Sequence, residues 1–132
     1  MIEESYVSRD TARMLKEAGF EANLKTIYVE EEKDEWAFWE SGTKRSDYNY
    51  FDDTIACPTQ ALAARWLREV HNIHIFPNYF FEDGTWFFVS VNLKEPDEVR
   101  AIHADIKSYQ SAEEAMEAGL QSVLKQIIRE TE

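Results

Sequence analysis

An α+β fold follows from three features of this sequence. Segments with helix caps and one apolar stripe stand near both ends and in the middle. Apolar runs of strand length come in turn-linked pairs. The second half places these segments in the order helix, strand, strand, strand, helix. That order is expected to give a small three-stranded antiparallel sheet with both helices on one face. A helix and a β-hairpin precede it. With 132 residues the chain has the size of one domain, and 44% hydrophobic with 14% aromatic residues is enough to build a core rather than a disordered chain. No linker, repeat or low-complexity run divides it. Residues 1–132 are therefore expected to form a single α+β domain, with 1–56 as a helix and hairpin subregion and 57–132 as the α-β-β-β-α core.

The first helix carries its own start and stop. Ser8 is the expected N-cap, and Ala12, Leu15 and Ala18 make one stripe. Gly19 stands where a left-handed residue ends a helix, and Phe20 can then fold back over Leu15 in a Schellman ending. Residues 24–40 alternate as a hairpin, with Leu24–Val29 and Trp36–Trp39 as strands and Glu30–Asp34 as a charged connection. Residues 41–53 are polar with interleaved Tyr48, Tyr50 and Phe51, which predicts an ordered loop.

Thr59 to His71 predicts the second helix, with Pro58 in its first turn. Leu62, Trp66 and Val70 are spaced by four and predict the packed face, widened by Ala63 and Leu67. Gln60, Ala64, Arg65 and Arg68 then look outward. Asn72 can take the left-handed conformation that ends the helix. The strongest hairpin follows, with Ile73–Phe81 and Thr85–Leu93 joined at Asp83-Gly84 by a two-residue type I′ turn. Pro77 lacks an amide donor and suits an edge strand.

Residues 99–109 fit a strand or a helix. A strand is expected, because it would pair the open edge of the hairpin. Ser111-Ala112-Glu113-Glu114 reads as the capping box of the last helix. Its buried face is expected to hold Ala112, Ala115, Met116, Gly119, Leu120, Val123, Leu124 and Ile127. Gly119 on that face suits a close backbone approach.

The net charge is −12, with 7 basic and 14 acidic residues in 1–56 and 7 basic and 12 acidic in 57–132. Acidity this evenly spread repels phosphate backbones and anionic lipids, so neither direct nucleic-acid binding nor membrane binding is expected. Helix, three strands and helix is also the order of double-stranded RNA-binding domains. Those modules grip phosphate with lysines where this chain has Ser111-Ala112-Glu113-Glu114 and Glu117. The likeness is therefore architectural. No apolar run approaches the 18 or so residues that cross a bilayer. The start, Met1-Ile2-Glu3-Glu4, lacks a secretory pattern, and Cys57 has no second cysteine to pair with. Both features lead to an expected cytoplasmic location.

Candidate chemistry is sparse. Cys57 precedes a helix, where the dipole can lower a thiol pKa, and His71, His74 or His103 could serve as its base. This thiol- or metal-dependent enzyme is the alternative function. Against it, the spacing matches no zinc pattern and no C-x-x-C pair exists, so Cys57 reads first as a small buried residue. His71 reads first as a partner of the last helix carbonyls. Asp47-x-Asn49-x-Phe51-Asp52-Asp53 fails as a calcium loop, because Phe51 and Asp52 replace a ligand and the turn glycine. No cofactor and no metal site is expected.

The aromatic hairpin face is the main candidate surface. If the two helices cover Phe76, Phe80 and Phe87, then Tyr79, Phe81, Trp86 and Phe88 need other cover. Trp36 or Trp39 of the first hairpin could supply it. Otherwise the face is an interface with a protein partner or a second copy in a homodimer. Arg65 and Arg68, outward on the second helix, complete the candidate partner-binding set.

The block Pro58-Thr59-Gln60-Ala61-Leu62, followed by Trp66-Leu67-Arg68-Glu69-Val70-His71-Asn72-Ile73-His74-Ile75, resembles a family of small uncharacterised phage and prophage proteins of gut Bacteroidetes. The stretch from Tyr109 to Leu120 and the opening from Thr11 to Phe20 are similar to that family as well. The resemblance implies a phage or mobile-element setting and carries over no functional residue. The expected function is thus a small, acidic, non-enzymatic accessory protein that works by protein–protein contact.

Overall fold

Helix α1 (Arg9–Glu17) is built as its sequence demands. Ser8 accepts a hydrogen bond from the Thr11 amide through its side chain, which satisfies one orphan donor of the first turn. At the other end Gly19 has φ 88°, and the Phe20 amide donates to the Leu15 carbonyl at 2.9 Å while that of Gly19 donates to Lys16 at 3.1 Å. This is the Schellman pattern, and it drives Phe20 into the core beside Leu15. The computed structural model describes residues 2–95, 99–102 and 108–131, with 99–102 described by their backbone alone.

A first antiparallel sheet has strand order β2-β1-β3, with β1 Leu24–Glu32, β2 Glu35–Arg45 and β3 Thr54–Ala56. The acidic run expected as a connection is mostly strand. Glu30, Glu31 and Glu32 belong to β1, and the reversal is made by Lys33 and Asp34, with Asp34 at φ 64°. Residues 41–45, expected in a loop, prolong β2. A single turn of 3-10 helix (Tyr48–Tyr50) leads to β3, which sequence patterning did not anticipate. Asn49 fixes this segment with both ends of its amide. Its Nδ2 donates to the Phe20 carbonyl at 3.0 Å and its Oδ1 accepts from the Ala56 amide at 2.8 Å. Asp47, which opens the would-be calcium loop, is held by Arg45 at 2.8 Å.

Helix α2 (Gln60–His71) is capped by Thr59, so Pro58 lies one residue outside the cap rather than in the first turn. Asn72 takes the left-handed conformation at φ 58° and ends it. The packed face differs from the expected stripe. Ala63, Ala64 and Leu67 are buried, whereas Val70 is 55% exposed and Leu62 and Trp66 are half-buried. Two adjacent alanines let the helix approach the core more closely than a large side chain at position 64 would permit, and the helix turns that face inward.

The second sheet has order β4-β5-β6, with β4 Ile73–Phe80, β5 Thr85–Asn92 and β6 Val99–Ile102, all antiparallel. β6 is the expected third strand over its first four residues. The rest of that segment, 103–107 with His103, lies outside the described residues. Pro77 is on the edge strand β4, where its missing donor costs no ladder bond. The turn differs from the type I′ expectation. Phe80 pairs with Thr85, leaving a four-residue connection closed by the Gly84 amide donating to Phe80 at 3.0 Å. Asp83 Oδ1 accepts from the Thr85 amide at 3.3 Å and so stabilises the longer loop. The register slips by two residues relative to the shorter turn. A slip of two leaves every side chain on its expected face.

Helix α3 (Ala112–Thr131) buries Ala115, Met116, Gly119, Leu120, Val123, Leu124 and Ile127 as expected, whereas Ala112, expected with them, is half-buried. The Ser111 hydroxyl accepts from the Glu114 amide at 3.1 Å, and the Glu114 carboxylate accepts from the Gln110 amide at 3.1 Å. This helix packs on β4 and β5 and against α1, and α2 packs on β4 and α3. It covers the Ile75–Phe88 face of the second sheet, not the Phe76–Phe80–Phe87 face. One cluster of buried residues, from Val7 through Ile27, Ile55, Leu67 and Ile75 to Ile127, joins both sheets and all three helices.

Candidate functional site

Two surfaces and one buried thiol account for the candidate chemistry. The first surface is the end of the β4–β5 hairpin. Tyr79 and Trp86 are directly opposite on neighbouring strands, and their rings lie 5.0 Å apart at 58°. The Tyr79 ring also reaches over the turn, since a Cβ on Gly84 would stand 3.6 Å from the Tyr79 hydroxyl. Phe81 follows at the tip and is 80% exposed. Trp86 is half-buried, and its backbone exchanges hydrogen bonds with Tyr109 at 2.8 and 2.9 Å. Tyr79, Phe81 and Trp86 therefore form an aromatic end to a sheet that runs on beyond its helix cover.

Phe88 leaves the candidate set. It is 2% exposed, because α3 lies directly upon it at Gly119. Residues on one sheet face thus divide by position along the strand. At Phe88 the helix covers them, and at Tyr79 it does not. The first hairpin does not provide the cover that Trp36 or Trp39 could have given. Trp36 lies in the first sheet beneath the Arg13 guanidinium at 5.3 Å, and Trp39 is exposed. Arg65 and Arg68 are exposed on α2, with Arg65 turned onto Glu69 at 3.0 Å. They do not belong to the aromatic tip.

Cys57 sits between β3 and α2 and is wholly buried. Its backbone prolongs the sheet, donating to the Thr26 carbonyl at 2.9 Å and accepting from the Thr26 hydroxyl at 2.6 Å. The thiol faces the Val7 carbonyl at 3.5 Å, and burial pushes its pKa up to about 12. A thiol in this state holds its proton at neutral pH and is inert as a nucleophile. Burial likewise lowers the His71 pKa. Its ring stacks edge-on to Trp66 at 4.9 Å rather than reaching a carbonyl as expected. His74 lies beside Phe76 at 5.3 Å. Among the described residues no group of three His, Cys, Asp or Glu side chains could hold a metal ion.

The second surface was not anticipated from sequence. Residues 5–8 lie along the start of α2, with Val7 donating to the Pro58 carbonyl at 3.1 Å and Gln60 donating to Ser5 at 2.8 Å. This brings Tyr6 within 5.1 Å of Phe38, which in turn stands 5.9 Å from Tyr28. The three rings wall a cleft of about 480 Å³ whose other side is Gln60, Glu113, Glu114 and Glu117. Only the Tyr28–Phe38 cross-strand pairing could have signalled it, and that depends on the register of β1 with β2.

No family model, curated protein or solved structure matches the chain.

Proposed function

We propose that this protein is a small accessory protein of phage or prophage type that works by protein–protein contact through the end of its β4–β5 hairpin. The observation that carries the proposal is the exposure of Phe81 beside Tyr79 at the turn end of the β4–β5 hairpin. Single exposed apolar residues are ordinary on a surface, but adjacent large aromatics at a projecting tip suit interface anchors. The state of Cys57 supports a non-enzymatic role, since burial removes its nucleophilic form. The phage setting rests on the resemblance of the Pro58–Ile75 and Tyr109–Leu120 blocks.

The test is co-purification from the cell that expresses the chain. The paired variant Tyr79→Ser/Phe81→Ser is expected to lose a protein that the wild type retains in near-equal molar amount, while it stays folded with a stability loss of about 1 kcal/mol from the missing Tyr79–Trp86 pair. Equal retention by both proteins contradicts the proposal.

A further inference from the structure

We infer that the cleft between Tyr6, Tyr28 and Phe38 on one side and Glu113, Glu114 and Glu117 on the other takes a lysine or arginine side chain presented by a basic protein segment. The aromatic wall is in place: the rings touch in sequence at 5.1 and 5.9 Å, and the Tyr28 hydroxyl is held by the Val7 carbonyl at 2.9 Å. Phe38 and Tyr6 are 45% and 43% exposed, so their faces remain open to a ligand. Lysine and arginine stems pack on such rings while the charged head stays polar.

The opposite wall selects the charge of the head. Three carboxylates come from the first turns of α3, and no basic residue lines the cleft among the described residues. Each ionised carboxylate offers about four acceptor positions. Glu114 uses one on the Gln110 amide. Glu117 receives the Ser8 amide and the Gln60 side chain. Gln60 meets Glu113 through its backbone carbonyl, which leaves that carboxylate unengaged by Gln60. The start of α3 contributes roughly half a positive charge, well short of three carboxylates.

The source of the cation follows from charge. At −12 overall, this chain repels an acidic partner, and a second copy brings the same excess of carboxylates. A basic segment is the complementary occupant. The inference rests on the protein-contact proposal for that source, and it uses a surface separate from the hairpin tip.

The test titrates the full chain with a fluorescent, unstructured peptide of alternating arginine, lysine, glycine and serine in buffer near physiological salt. Saturable one-to-one binding is expected. Glu113→Gln/Glu114→Gln and Phe38→Ser are each expected to weaken it about fivefold or more. Glu31→Gln/Glu32→Gln removes the same charge from the first hairpin and is expected to change affinity less than about twofold. Tyr6→Ser replaces Phe38→Ser should the latter prove unstable in a thermal melt. Absence of saturable binding by the wild type overturns the inference. So does an equal loss from both glutamine pairs, which would mean diffuse attraction. A dimer in light scattering that Phe38→Ser dissociates also overturns it, by making a second copy the occupant. Tyr79→Ser/Phe81→Ser should bind the peptide like the wild type, so failure here leaves the hairpin-tip proposal to its own test.

Discussion

Gly119 and Phe88 approach so closely that a Cβ on the glycine would lie 2.9 Å from the phenylalanine Cγ. Ile75 Cγ2 would be at 3.0 Å, so the α3 backbone rests directly on two strands. The contact places Phe88 under the helix, while Tyr79, nearer the turn, is exposed. Gly119→Ala gains about 1 kcal/mol of helix propensity. It must also push α3 off a fully packed surface, at about 1–3 kcal/mol. A net loss of stability is expected, read as a lower denaturant midpoint with an unchanged slope. A higher midpoint would show that the contact relaxes at little cost.

Phe81 and Phe88 lie seven residues apart in one hairpin and should respond very differently to truncation. Phe88→Ala empties a buried site and is expected to cost about 3–5 kcal/mol. Phe81→Ala touches an exposed ring and should stay within about 0.5 kcal/mol of wild type. Chemical denaturation of the two variants measures both. Similar losses would mean that the tip is packed in solution.

Much of this architecture is legible in local sequence, and the exceptions share a cause. The α1 ending from Ala18 to Phe20 and the α3 stripe from Ala115 to Ile127 depend on neighbours within a few residues, and both are found as expected. β3 is three residues long and forms only because β1 lies beside it. In α2 the Leu62–Trp66–Val70 stripe gives way to Ala63, Ala64 and Leu67, because closeness of approach outweighs side-chain size. Asp83-Gly84 favours a short turn, yet Asp83 is used to hold Thr85 in a longer one. The site divides the same way. Strand alternation places Tyr79 and Phe81 on one face, but only the reach of α3 removes Phe88. The Tyr6–Tyr28–Phe38 cleft joins three segments distant in sequence, and no local pattern marks it.

Cys57 ties stability to alkaline pH. Its folded pKa, pushed up to about 12, lies above the ordinary thiol value of 9.0. The buried thiol therefore contributes stability that is fully present below about pH 9 and is lost as pH rises toward 12, at up to about 1.4 kcal/mol per pH unit. Between pH 8.5 and 10 the wild type should lose about 1 kcal/mol more than Cys57→Ala. Burial also raises the Tyr28 pKa, and the neighbouring Cys57 thiol adds to that shift, so the comparison is made in a Tyr28→Phe background, where the phenol no longer titrates. Parallel pH profiles would mean that the thiol is solvated.

Asn72 holds a left-handed backbone at φ 58° between α2 and β4, and its carbonyl accepts from the Leu93 amide at 2.7 Å. Asn72→Gly should be neutral or slightly stabilising. Asn72→Ala should cost about 1 kcal/mol through backbone strain alone. Thermal midpoints of the pair check this. Equal midpoints would show that the junction has other conformations open to it.

A photo-reactive side chain at position 81, in the cell that expresses the chain, tests the contact surface most directly. Position 31, also exposed and on the first hairpin, is the control. A discrete cross-linked species at position 81, absent at position 31 and lost on Tyr79→Ser, is the predicted result. The same diffuse products from both positions, or none from position 81, would contradict a role for the β4–β5 tip in partner contact.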